Sequence, residues 1–228
     1  MYEILPSEPL ASLLRTFESW GGVVDYVLSG WDASVSLDPY ELHKEAAIFT
    51  ATTLVNRHKQ HLTGYLLKTQ QDISQLEALL IEERKGLQMR PDEAKGQQIS
   101  IAEFFAPDKL WVVQDGVRID VKPLLGSLEE YRDKPLDSRS YCHAFSDPPY
   151  TLSLHRRIPQ AEIDALFAAI NKQLFGENLD GIVVYQWSTD WVDYLCFYEG
   201  YDWWGSYLWT VYDAKTKIFV GITASATD

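Results

Sequence analysis

The chain of 228 residues carries 33 acidic against 20 basic side chains, a formal net charge of -13 at pH 7, and is 46% hydrophobic and 13% aromatic. That much apolar material excludes a disordered chain and suffices for one large domain or two small ones. Phosphate binding draws its affinity from lysine and arginine, so the balance of charge argues against nucleic acid as a partner and favours a basic protein.

The first expected element is a helix from Ser7 or Glu8 to Trp20, where Leu10, Leu13, Leu14 and Phe17 recur at helical spacing and Gly21-Gly22 ends the run. The stretch VVDYVL after it reads as a strand or a short buried connector. Asp38-Pro39 then opens a second helix, aspartate at the cap and proline in the first turn, and no proline follows from Tyr40 to Gly86. Within it Leu62, Leu66, Thr69, Ile73, Leu76 and Leu80 step by four, three, four, three and four, the spacing of a coiled-coil seam. Thr69 weakens that seam and Glu83 takes its next position, so an intramolecular helical hairpin is expected in preference to a dimerising zipper. The break between its arms is expected at Gly64 or in the polar patch from Asn56 to His61.

The segment from Met89 to Gln98 combines proline, glycine and charge with almost nothing apolar, which makes it a boundary between a helical subdomain, 1–90, and an α+β subdomain, 99–228. Ser100 and Glu103 form a capping box, and Asp115-Gly116 between LWVV and VRIDV signals a β-hairpin. Pro123, Pro135, Pro148 and Pro149 make 122–150 an irregular connection, with one helical turn near Leu128 to Tyr131. Pro159 opens the most regular helix, with Ile163, Leu166, Phe167, Ile170 and Leu174 on one stripe and Gly176 as its stop. Four strand-like runs follow, at 182–187, 191–198, 207–212 and 217–224, and their short connections favour antiparallel pairing. The fold class expected is α+β: a helical N-terminal half, built as a helical hairpin with a short heptad seam, followed by a mainly antiparallel sheet with one amphipathic helix packed on it.

Chemistry-bearing motifs are few. Asp147-Pro148-Pro149-Tyr150 resembles the tetrapeptide with which amino-methyltransferases hold a target amino nitrogen. The resemblance stops at these four residues: no apolar strand precedes them, and no glycine-rich strand-to-helix turn offers a place for the methyl donor. A proline-rich turn with a packed tyrosine explains the same letters. His58 and His61 share a helix face, but no carboxylate or cysteine stands at a neighbouring helical position, and His43, His143 and His155 are scattered. Cys142 beside His143 lacks an orienting partner, and Cys196 in an apolar run reads as a small buried hydrophobe. No catalytic residue, metal ligand or cofactor is assigned. The N-terminus carries no targeting signal and no apolar run reaches bilayer length, so a cytoplasmic protein without a membrane span is expected.

The richest region lies near the C-terminus. From Gln173 to Tyr212 there is no lysine or arginine, and eleven aromatic residues crowd the span from Trp187 to Tyr212. Alternation places Tyr207, Trp209 and Val211 on one side of a strand and Leu208, Thr210 and Tyr212 on the other, so a strand buried on both faces accounts for these. Trp203 and Trp204 escape that account, because adjacent residues of an extended strand cannot both point inward. The function expected is therefore a non-enzymatic protein-binding module, immunity-protein-like inhibitor or adaptor, whose acidic and aromatic surface docks a basic protein. Glu199, Tyr201, Asp202, Trp203 and Trp204 would make the contact, with Asp190 and Asp193 steering encounter. The alternative is a carbohydrate-binding or carbohydrate-active protein that stacks sugars on Trp203 and Trp204 beside the carboxylates. Self-association through the 62–80 seam is a third.

Overall fold

The sheet is assembled from both ends of the chain. The computed structural model describes residues 1–32, 37–68, 89–105, 111–114, 117–120, 140–146, 152, 158–192 and 205–225. Its strands are β1 (Tyr2–Ile4), β2 (Val24–Gly30), β3 (Gly96–Ile99), β4 (Trp111–Gln114), β5 (Val117–Asp120), β6 (Ile182–Trp187), β7 (Ser206–Asp213) and β8 (Ile218–Ser225). Six of them form one antiparallel sheet in the order β1-β2-β8-β7-β6-β3. The other two, β4 and β5, pair on either side of Asp115-Gly116, as the turn signal predicts.

Five α-helices accompany the strands among the described residues: α1 (Glu8–Ser19), α2 (Pro39–Lys68), α3 (Ile101–Phe105), α4 (Tyr141–Ser146) and α5 (Gln160–Phe175). The mixed architecture, the antiparallel sheet and the amphipathic helix packed on it are as expected. The N-terminal half is not wholly helical, however. The run VVDYVL is strand β2, and it pairs with β8 because its alternating Val24, Tyr26 and Val27 bury side chains on both faces of the sheet. Nor does α2 break at Asn56 to His61 or at Gly64; it runs unbroken through both to Lys68. The seam positions Thr69, Ile73, Leu76 and Leu80 and the DPPY stretch at 147–150 lie outside the described residues.

Helices cover the sheet on both sides. On one face α1, α3, α4 and α5 enclose the larger apolar cluster, in which Tyr207, Trp209 and Val211 of β7 and Val220 and Ile222 of β8 meet Ile163, Leu166 and Ile170 of α5. Rings of different elements lock together there: Phe17 of α1 stacks on Phe145 of α4 at 4.0 Å, and Phe104 of α3 on Tyr141 at 4.8 Å. A buried phenol pair, Tyr26 and Tyr141, bridges β2 to α4 with an oxygen-to-oxygen distance of 2.8 Å, and burial raises both groups' pKa.

On the other face lies α2. Ala46, Ala47, Thr50 and Ala51, all fully buried, turn small side chains toward the strands, and this lets the helix sit close. The closest approach is at Gly221 of β8, where a β-carbon would overlap the Thr50 hydroxyl. Leu54, Val55, Val27, Tyr185, Trp187 and Leu208 join this second cluster, with Ala94, Trp191 and Val192. The alternation read along 207–212 is thus satisfied on both sides, because β7 lies in the interior of a sheet that is covered twice.

Candidate functional site

Strands β6 and β7 are direct neighbours, with Trp187 opposite Leu208, so the connection between them leaves and re-enters the sheet at one end. That connection contains the acidic and aromatic segment. Its outgoing root, 188–192, is held as a rigid corner. The Ser188 amide donates to the Lys95 carbonyl at 2.8 Å, the Trp191 indole to the Ser188 carbonyl at 2.6 Å, and the Val192 amide to the Thr189 carbonyl at 3.0 Å. Trp191 is 0% exposed, while its neighbour Asp190 is exposed. A backbone bridge joins Val192 to Met89.

Arg90 clamps the corner from outside. Its amide donates to the Trp191 carbonyl at 2.8 Å, its Nη2 to the Asp190 carbonyl at 2.6 Å, and its Nε to Glu93 Oε2 at 2.8 Å. Among the described residues Glu93 pairs with the guanidinium charge. The returning root begins at Gly205, whose φ of 117° only glycine takes without strain and where a β-carbon would overlap the Tyr207 ring. The Thr189 hydroxyl donates to the Ser206 carbonyl at 3.4 Å, tying the two roots together.

Of the residues expected to make the site, Asp190 stands exposed on the corner. Asp193, Glu199, Tyr201, Asp202, Trp203 and Trp204 lie outside the described residues, and so does Cys196. The run expected as a strand at 191–198 is described only in its first two residues, a turn at Trp191 and the single bridge at Val192. The sequence reading missed Arg90, which sits in the stretch taken for a boundary. Nothing local to MRPDEAKGQQ signals that its arginine reaches a segment a hundred positions away in sequence.

A second polar constellation is internal. His43, one turn into α2, is 2% exposed, and its ring packs on Tyr185 at 4.4 Å and Phe219 at 5.0 Å, with Tyr212 edge-on at 6.4 Å. Its Nδ1 lies 2.8 Å from Thr210 Oγ1, and the same oxygen accepts the Trp187 indole N–H at 2.9 Å. Burial lowers the imidazole to about 4, and hydrogen bonding at the Thr210 backbone offsets part of that fall. The sequence reading left His43 among scattered histidines, although 43, 47, 50 and 54 recur at helical spacing and mark it as a residue of the buried stripe.

His58 is half-buried and His61 exposed on α2. Among the described residues no three histidine, cysteine, aspartate or glutamate side chains gather as metal ligands, and no helix is long and apolar enough to cross a membrane. Comparison with protein-family models, with curated proteins and with solved structures finds no match to this chain.

Proposed function

We propose that the protein is a non-enzymatic binding module that docks a basic protein partner through the acidic, aromatic segment running from Asp190 to Trp204. One observation carries this reading: both roots of the segment are pinned at the same end of the sheet, with Asp190 exposed on a corner bonded to Arg90, Lys95 and Ser206. Core packing employs Trp187, Trp191 and Trp209, each at most 3% exposed. A segment carried on a fixed base loses less entropy on binding than one at a free terminus. The four carboxylates and clamped base suit an inhibitor or adaptor, with steering by charge and anchoring by indole.

The test is affinity capture from a lysate of the source cell on immobilised protein, wild type beside Trp203→Ala/Trp204→Ala. A basic protein retained by the first and lost from the second is expected, with an association rate that falls as salt rises because exposed charges are screened beyond about 10 Å at 0.1 M. Equal recovery on both would remove the segment from the function. A tryptophan fluorescence change with simple oligosaccharides would instead favour the sugar-binding alternative.

A further inference from the structure

The link between α2 and the middle of the sheet has an unusual chemical make-up. Most of this interface is alanine and aliphatic surface, yet its first turns are joined by one imidazole held among aromatic rings. The arrangement accommodates a neutral ring. Thr210 Oγ1 receives the Trp187 indole proton, which leaves the hydroxyl's own proton free to point at Nδ1 of an uncharged His43. Protonation would place a cation in this buried, aromatic-lined site. The groups packed on the ring are Tyr185 from β6, Thr210 and Tyr212 from β7 and Phe219 from β8. On α2 itself Glu41 is exposed and Lys44 half-buried, and among the described residues no charged side chain contributes to the ring's titration.

We propose that the His43–Thr210–Trp187 clasp is an acid-sensitive latch, holding α2 on the sheet while the imidazole is neutral and releasing it when the ring takes up a proton. The far end of the clasp is Trp187, the residue immediately before the corner at 188–192, so release acts on the base of the acidic segment as well as on the helix. The latch stands on the buried geometry alone and does not depend on what the segment binds. A ring that titrates at about 4 when enclosed and near 6.5 when free favours the open form by about tenfold at pH 5.5 relative to pH 7.5.

The experiment is hydrogen exchange over residues 39–57 at pH 7.5 and pH 5.5, corrected for the intrinsic rate, in wild type and His43→Gln. The expected result is a rise of about tenfold in the opening constant of wild type and little change in the variant. Groups that titrate elsewhere, Asp25 among them, act on both proteins and cancel in the comparison. An equal rise in both, or none in wild type, overturns the proposal. Should the variant fail to fold, the wild-type His43 ring signal followed by NMR decides: a midpoint below pH 5 supports the latch, and one near 6.5 overturns it.

Discussion

Thr210 serves two neighbours with one oxygen. Replacing it by valine keeps the shape and leaves the Trp187 indole N–H and the His43 ring nitrogen without their partner in a dry interface. Thr210→Val should therefore lower stability by about 1–3 kcal/mol for each group stranded, measured by urea unfolding. Thr52→Val, on the exposed side of α2, should change it by less than about 0.5 kcal/mol. Gly221→Ala tests the packing of the same helix: its methyl group would collide with Thr50 and force α2 off the strand, for a loss of about 1–3 kcal/mol or more in thermal unfolding. At this scale the sequence is legible where a residue's role follows from its own chemistry. Glycine at 176 ends α5 with a positive φ, as read. His43 was not legible in this way, because its partners Tyr185, Thr210 and Phe219 come from three strands distant in sequence.

Elements were most readable where their signals are local. The capping box forms as expected, with Glu103 accepting from the Ser100 amide at 2.8 Å and Ser100 accepting from the Glu103 amide at 3.1 Å. The stripe of α5 faces the core, and the hairpin β4–β5 pairs around Asp115-Gly116. The long helix was read correctly at its start and wrongly in its middle. Polar residues from Asn56 to His61 look like a break, but Arg57 there donates to the Tyr26 carbonyl and pairs with Glu3, so the patch continues the helix against the sheet. The corner at 188–192 is the element on which the proposed docking rests. Arg90→Ala should remove its side-chain bonds to the Asp190 carbonyl and Glu93, loosen the corner by about 1 kcal/mol, and appear as faster exchange at the Val192 amide with little change in the melting temperature. Unchanged exchange there would show that Trp191 burial alone holds the corner.

For the molecule as a whole, pH and salt are the informative variables. His43 titrates lower in the folded chain than in the unfolded one, so below about 6.5 the unfolded state takes up the proton first. Stability is full above that value and declines as pH falls toward 4, by up to about 3 kcal/mol from this group. Urea unfolding from pH 7.5 to 4.5 should show that decline in wild type and a shallower one in His43→Gln. By itself the sequence determined the secondary elements with local signals, the surplus of acid, the antiparallel tendency of the C-terminal runs and the two-sided burial of β7, because each depends on spacing or composition along a few residues. Only the tertiary structure decided that β2 sits beside β8, that α2 packs on one face, that Arg90 braces the base of the acidic segment, and that a buried histidine joins helix to sheet. Those facts depend on which distant segments meet, and pairing across the length of a chain is set by the packing of the whole core, which no local pattern encodes.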